Sequence, residues 1–310
     1  MNANSNEKIQ KLRGILFEQQ RKISCEHEKR LIQIREATRY IYEELFGSDA
    51  PASANDVLSA CRKIREDLDG SFGFHEHLLP EHKRKIGRAL SSLHCIDKAS
   101  LAEALSQMLK SAEHSLDAED LLSVCDEQDA VICYVKNIHT DRAYDEFSSC
   151  FYESRVLYAR NFDEACEQMR RKNASYCILP IYSDEAGELV STRRLLDTYM
   201  LKICAVCEID TEGASTRYAL ISEKNAFILD GDEQFFEFSV SVDGACDVED
   251  LLYATELYGF SLASLKIEKS EVGMSCRISL LQREGDLFAL LVYLLIFFED
   301  YNVYGLYSNI

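Results

Sequence analysis

Apolar side chains recur every seven residues along the N-terminal part of the chain. The apolar positions at this spacing are Ile9, Leu16, Ile23 and Ala37, and Arg30 stands between the last two of them. This stripe predicts one long amphipathic helix, and Gly47 is placed to end it because glycine readily adopts the conformation of a helix C-terminus. Further helices are predicted at 57–68, 80–93 and 100–109. Residues 1–116 are therefore expected to form a helical module.

The pattern changes near Ala130, where short apolar runs begin to alternate with amphipathic segments. Strands are predicted at 131–135, 155–159, 176–181, 201–209 and 216–222, and helices at 162–171 and 189–199. Strands that alternate with helices are typical of an α/β layer with parallel pairing. We expect this layer to occupy 127–232.

The last segment, 233–310, follows another order. Strands are predicted at 234–242, 261–268, 273–281 and 302–307, and helices at 248–258 and 284–299. The resulting order β-α-β-β-α-β is the ferredoxin-like split pattern. The whole chain is thus predicted to be a multidomain protein with α/β and α+β parts.

Charge excludes some functions. The 310 residues include 34 Lys and Arg against 53 Asp and Glu, a net charge of −19. Nucleic-acid binders and proteins of anionic membrane surfaces present clustered cations, so we expect neither kind of partner. The polar start, MNANSNEKIQ, has no apolar signal core, which favours a cytoplasmic protein. The longest apolar run, 287–298, is too short to span a bilayer.

Metal binding is not expected from the cysteines and histidines. Cys204 and Cys207 form a single CxxC in a predicted strand, where residues three apart point to opposite faces. No second CxxC follows, so the ligand set of a zinc site is incomplete. His75, His77 and His82 cluster between predicted helices, where a surface loop is favoured over a metal site. No metal and no cofactor are predicted.

Residues 173–209 combine a strand, a glycine turn, a leucine-rich helix and a strand with an acidic residue. The positions that define this segment are Pro180, Ile181, Gly187, Leu195, Leu196 and Glu208. Ser215-Thr216-Arg217-Tyr218 follows it. In this order the two motifs resemble the prephenate dehydratase family.

That resemblance implies a catalytic role for two residues. The family's threonine is thought to assist loss of the substrate hydroxyl, and Thr216 holds its place. Arg217 would be the adjacent cation that holds a carboxylate.

The C-terminal split pattern resembles the ACT domain, the amino-acid-sensing module that follows the dehydratase domain in this family. Gly244 and Ala245 hold places in its glycine loop, and Glu268 begins its second motif. The resemblance implies effector binding by these three residues. A ferredoxin-like domain that binds nothing is the alternative.

The helical module resembles the chorismate mutase of bifunctional enzymes. Arg13 and Arg30 match two substrate-binding arginines of that family's first helix. Arg30 also lies on the apolar stripe, where a buried cation requires an anion. The alternative is that Arg30 pairs with an acid of another helix or reaches water.

The chain departs from the dehydratases at their active site. The family's Gly-Pro turn after the first strand is absent after Tyr134, and Tyr182-Ser183-Asp184 replaces another family motif. Only seven residues separate Glu208 from Thr216, where the family inserts a second lobe. Seven residues form only a turn between strands. One wall of the active-site cleft is therefore expected to be missing.

The leading hypothesis is a divergent protein of phenylalanine metabolism that senses a ligand through its ACT-like domain. The ligand would be prephenate, chorismate or an aromatic amino acid. The alternative is an active dehydratase or mutase whose site is completed across a homodimer. A homodimer is expected in both cases.

Overall fold

The computed structural model describes residues 3–47, 51, 53–66, 93–111, 116–122, 129–211, 213–225, 233–269 and 273–310. The chain divides into two compact units, Met1–Leu116 with Leu295–Phe297 and Asp117–Leu294 with Phe298–Ile310. The histidine cluster and all but the last residue of the helix predicted at 80–93 lie outside the described residues. The further division of the second unit at residue 232 stays a prediction.

Helices and strands cover most of the described residues. The helices are α1 (Ala3–Phe46), α2 (Ala54–Glu66), α3 (Cys95–Lys110), α4 (Ala118–Leu122), α5 (Ile138–Ser148), α6 (Phe162–Arg170), α7 (Val190–Tyr199), α8 (Ala245–Leu257) and α9 (Leu287–Phe297). The strands are β1 (Asp129–Val135), β2 (Glu153–Ala159), β3 (Tyr176–Ser183), β4 (Gly187–Glu188), β5 (Lys202–Thr211), β6 (Ala214–Ser222), β7 (Gln234–Val242), β8 (Ser261–Lys269), β9 (Met274–Gln282) and β10 (Tyr301–Asn309). The hydrophobic pattern did not indicate α4, α5 or β4.

The first unit is helical. Along α1 the apolar stripe is buried at Ile34, Ala37 and Ile41. Helix α1 packs against α3 within this unit. The helix ends where the sequence predicts, because Gly47 takes a left-handed φ of +62°.

The ten described strands of the second unit form one mixed sheet. Its order is β2-β1-β3-β6-β5-β10-β7-β9-β8, and β4 pairs with β3 off this path. The predicted parallel pairing is confirmed for β1 with β2 and for β1 with β3. It is wrong for β5 and β6, which run antiparallel with Thr211 opposite Ala214. Their connection is a hairpin turn, and a parallel crossover needs a dozen or more residues.

The hydrophobic pattern does not predict α5 because the residues that begin this helix are polar. The Asn137 Oδ1 atom accepts hydrogen bonds from the backbone N–H groups of His139 (2.9 Å) and Thr140 (3.0 Å). The Thr140 hydroxyl in turn accepts from the Asn137 backbone N–H at 3.1 Å. This capping box starts the helix directly after β1. The polar residues that follow Tyr134 therefore form a helix cap.

The C-terminal elements β7-α8-β8-β9-α9-β10 follow the predicted split order. Neighbouring strands pair antiparallel. The apolar run at 287–298 forms α9, a largely buried helix of 11 residues. No helix in the described part of the chain combines the length and apolar character needed to cross a membrane.

Strand β10 joins the two halves of the sheet. It pairs parallel with β5 through Ser308 opposite Ala205 and Asn309 opposite Val206. The strands approach so closely at Gly305 that an added Cβ would lie 2.1 Å from the carbonyl oxygen of Ile203. Glycine is therefore required at this position for the two halves to form one sheet.

We expect Gly305→Ala to lower the free energy of unfolding by about 2 kcal/mol or more, since overpacking against backbone cannot relax by a side-chain rotation. Urea unfolding followed by circular dichroism measures this loss. Gly244→Ala is the control, because nothing lies within 4 Å of the added Cβ, and its loss should stay below about 1 kcal/mol. Equal losses in the two variants would contradict the close approach.

Candidate functional site

The two residues predicted to be catalytic are neighbours on β6. Thr216 pairs across the sheet with Ser183, and Arg217 pairs with Tyr182. Because successive side chains of a strand point to opposite faces, Thr216 and Arg217 lie on different faces. The structure does not bring them to one side of the sheet.

Arg217 already has an acidic partner. Its Nε atom lies 3.4 Å from the Glu208 Oε2 atom, and its guanidinium lies 5.2 Å from the centroid of the Tyr182 ring. The hydroxyl of Ser215 donates to the Glu208 Oε1 atom at 2.6 Å, and the Ser215 backbone N–H donates to the Asp184 Oδ2 atom at 2.9 Å. Arg217 thus forms a half-exposed ion pair with a carboxylate of its own chain.

A cavity of about 310 Å³ opens on the face of the sheet that carries Arg217. Strands of both halves of the sheet contribute to its lining, together with Glu188 of β4 and Arg193 of α7. It is lined by Ile181, Tyr182, Glu188, Arg193, Val206, Arg217, Phe235, Glu237, Ala263, Ser264, Lys266, Arg277, Ser279, Tyr307 and Asn309. This volume suits a small organic molecule.

The lining of this cavity is cationic although the chain is acidic. It contains four cations and two carboxylates, a formal excess of two positive charges. The cations are Arg193, Arg217, Lys266 and Arg277. The whole chain carries −19, so this cavity concentrates positive charge against the overall balance. The arrangement favours an anionic ligand.

Three of these cations converge on Glu188. Its carboxylate lies 2.7 Å from the Nε atom of Arg193, 2.8 Å from the Nη2 atom of Arg277, and within hydrogen-bond reach of Lys266. Burial alone raises the pKa of Glu188, but the hydrogen bond from Lys266 and the charges of the two arginines outweigh burial and lower it. Glu188 is therefore held in its charged form.

Glu237 is the second carboxylate of this ion-pair cluster. Its Oε1 atom lies 2.8 Å from the Nη2 atom of Arg193 and 4.0 Å from the Nε atom of Arg277. The Tyr307 hydroxyl donates to its Oε2 atom at 3.1 Å. Burial, followed by the charge of Glu237, raises the pKa of Tyr307 and keeps the phenol neutral.

Arg193 retains one unused donor. Its side chain is 13% exposed and pairs with both Glu188 and Glu237, but its buried Nη1 atom has no hydrogen-bond partner. Burial alone lowers the pKa of Arg193, and the two glutamates raise it above its ordinary value. A buried donor without a partner costs about 1–3 kcal/mol.

Aromatic rings complete the lining. The Phe235 and Tyr307 rings stack with centroids 5.8 Å apart, and Tyr182 lies beneath Arg217. An apolar or aromatic body and an anionic group would both find matching surfaces in this cavity.

The residues predicted to bind an effector do not line the cavity. Gly244 is the N-cap of α8, and Ala245 is its first residue. Glu268 is 68% exposed on β8, and its carboxylate lies 3.6 Å from the Nη2 atom of Arg277. Their role in effector binding stays a prediction.

Of the two mutase-like arginines, Arg30 has a partner within its own unit. Its Nε and Nη2 atoms donate to the two carboxylate oxygens of Asp97 on α3, at 3.1 and 3.2 Å. Pairing with an acid of another helix is the alternative that the sequence left open. Arg13 lies on α1, with its side chain outside the described part.

The two cysteines of the CxxC lie on the same face of β5, so the prediction of opposite faces is wrong. The strand register shifts between Ile203 and Ala205, and this irregularity brings Cys204 and Cys207 into one buried cluster. Burial raises the pKa of Cys207 to about 12. Among the described residues, no group of three or more His, Cys, Asp or Glu side chains is arranged to hold a metal ion.

Sequence analysis missed the ion-pair cluster. A signal was present, because Glu237 and Arg277 each stand in the middle of a predicted strand among apolar residues. The partnership with Glu188, Arg193 and Lys266 depends on strand order, which the hydrophobic pattern does not give.

Comparison with known proteins gives a weak likeness in structure. No family model and no curated protein matches the chain. The prephenate dehydratase of Streptococcus mutans is 16% identical with a TM-score of 0.49, covering 58% of this chain and 98% of that one. GqqA, described as a novel type of quorum quenching acylase, is 17% identical with a TM-score of 0.46, covering 57% and 94%. The prephenate dehydratase of Arthrobacter aurescens in complex with L-Phe is 12% identical with a TM-score of 0.46, covering 57% and 89%. Sequence identities and TM-scores this low assign no activity and no ligand to this chain.

The lowered pKa of Glu188 predicts a pH-dependent role in stability. Above the unfolded value of 4.5 the ion pairs stabilise the fold, and this contribution is lost as the pH falls through the lower folded pKa. Glu188→Gln should therefore lower the free energy of unfolding by about 2 kcal/mol near neutral pH. The difference from wild type should shrink below about pH 4.5.

Thermal unfolding of both proteins between about pH 7 and about pH 3 measures this difference. Glu249→Gln, at an exposed position of α8, is the control and should show no such trend. A gap between wild type and Glu188→Gln that stays constant with pH would contradict the assignment.

Proposed function

We propose that this chain is a divergent relative of the prephenate dehydratases that binds a small aromatic carboxylate and no longer dehydrates prephenate efficiently. Its role would be ligand sensing in aromatic amino acid metabolism. Candidate ligands are prephenate, chorismate, phenylpyruvate and the aromatic amino acids. The sequence motifs around Pro180 and Thr216 support the relationship.

One observation carries the binding proposal: the cavity concentrates cations and aromatic rings in a strongly acidic chain. A carboxylate would pair with the cationic lining, and an aromatic ring would pack against Phe235, Tyr307 or Tyr182. The Nη1 donor of Arg193, which has no hydrogen-bond partner, would favour a ligand that carries a hydrogen-bond acceptor.

The geometry around Thr216 argues against efficient dehydration. Arg217 is paired with Glu208 and lies on the other face of the sheet from Thr216. The hairpin between β5 and β6 stands where the resemblance places a second lobe. A threonine on one sheet face cannot exclude water from a substrate as a closed cleft does.

The sensing part of the proposal concerns the C-terminal layer. Strands β7, β8, β9 and β10 supply much of the cavity lining, so a bound ligand would contact this layer directly. The predicted effector residues Gly244, Ala245 and Glu268 would form a further ligand-responsive site. A homodimer remains part of the proposal, since β8 is an edge strand on which Leu262 and Ile267 are about half exposed.

We expect phenylpyruvate to bind and phenylacetamide, which lacks a carboxylate, not to bind. Arg217→Gln should weaken phenylpyruvate binding about fivefold, or about 1 kcal/mol, as expected for a half-exposed ion pair. Arg194→Gln is the matched control, because Arg194 is exposed on α7 and does not line the cavity. Isothermal titration of wild type, Arg217→Gln and Arg194→Gln with each of the two ligands measures all six combinations.

Equal effects of the two arginine variants, or binding of the amide, would contradict the cavity as the binding site. Titration with phenylalanine, tyrosine, prephenate and chorismate then ranks the candidate ligands. No heat with any of these carboxylates would reject the proposed function.

We expect no conversion of prephenate to phenylpyruvate, even at high protein concentration, because one wall of the cleft is missing. Absorbance of phenylpyruvate in alkali measures the product, and an active prephenate dehydratase is the positive control. Turnover that disappears in Thr216→Ala would instead support the alternative of an enzyme whose site a second subunit completes.

A further inference from the structure

We infer that the cations around Glu188 form a carboxylate-binding subsite that Glu188 itself fills in the free chain. A ligand carboxylate would bind there by displacing Glu188 and releasing β4. This inference rests on the proposed function and adds the position of the ligand's anionic group and its internal competitor.

The first step of the argument is that Glu188 occupies the place a ligand anion needs. Its carboxylate contacts Arg193 on α7, Arg277 on β9 and Lys266 on β8. All three cations line the cavity. An anion that enters therefore meets a cation site that already holds a carboxylate.

The second step is that Glu188 and Glu237 are held very differently. Glu237 is 4% exposed in β7, which is paired on both sides by β10 and β9. Glu188 lies on the two-residue strand β4, whose partners are Tyr182 and Ser183 at the end of β3. Moving Glu237 would disrupt a strand that is paired on both sides, whereas moving Glu188 breaks one short ladder. Glu188 is the exchangeable carboxylate.

The third step concerns charge. With Glu188 displaced, the buried Arg193 and Arg277 would contact Glu237 alone among the cavity's carboxylates, and the half-exposed Lys266 would lose its contact with Glu188. Buried cations in excess are costly without an anion, so displacement requires a ligand that replaces the lost charge. A carboxylate that bound Arg193 could also accept from its unused Nη1 donor and thus compete with Glu188.

Competition with an internal carboxylate predicts that removing its charge tightens binding. We expect Glu188→Gln to bind phenylpyruvate about tenfold more tightly than wild type, because a larger fraction of the chain presents the open site. Glu185→Gln is the matched control, since it removes the same charge from an exposed position in the turn before β4. The control should stay within about twofold of wild type.

Hydrogen exchange of the wild-type chain provides a second measurement that does not depend on the variant's stability. The Leu189 backbone N–H donates to the Ile181 carbonyl oxygen at 2.9 Å and reports on the attachment of β4. Saturating phenylpyruvate should speed exchange of the amides at 187–189. A ligand that bound beside Glu188 without displacing it would leave this exchange unchanged or slow it.

The outcomes separate the two claims. Three results would overturn the displacement and leave the proposed function standing. The first is that phenylpyruvate binds wild type but binds Glu188→Gln no more tightly, and the second is that Glu185→Gln gains as much affinity as Glu188→Gln. The third is that hydrogen exchange at 187–189 is unchanged or slowed. Absence of binding to wild type and to Glu188→Gln overturns both. Should Glu188→Gln fail to fold, the exchange experiment alone decides.

Discussion

The cost of removing arginines from water is the constraint on which the cavity depends. Arg193 and Arg277 each have side chains only 13% exposed, and a buried cation is tolerated only beside an anion. Glu237 supplies one anion from the middle of β7, and Glu188 supplies the other from the two-residue strand β4. Because each arginine contacts both glutamates, α7, β4, β7 and β9 are held in one arrangement.

The continuous sheet makes this arrangement possible. Strand β10 pairs with β5 on one side and with β7 on the other, so side chains from both halves share a face. Gly305 permits the close approach at this joint. On the opposite face of β7 and β9, Phe236, Phe238 and Ile278 are fully buried. The hydrophobic core therefore fixes the strands, and the polar face is left to form the cavity.

The same sheet decides where the residues proposed to be catalytic lie. Thr216 and Arg217 are adjacent in sequence, but strand geometry sends them to opposite faces, and Arg217 is drawn to Glu208 and Tyr182. The connection between β5 and β6, which precedes them, is a short hairpin. The Arg217 face carries the cationic cavity, next to the C-terminal strands β7, β8, β9 and β10.

Most elements of the fold could be predicted from the sequence, because hydrophobic periodicity records which residues face a core. The long helix ending at Gly47 and the split β-α-β-β-α-β order are of this kind. Helix α5 is indicated in the sequence only by the polar cap at Asn137. The face that Cys204 and Cys207 share depends on an irregularity in strand register. The cationic cavity was decided by tertiary structure alone. Its charged groups come from β4, α7, β6, β7, β8 and β9, and only the pairing of these distant strands brings their charges close enough to stabilise one another.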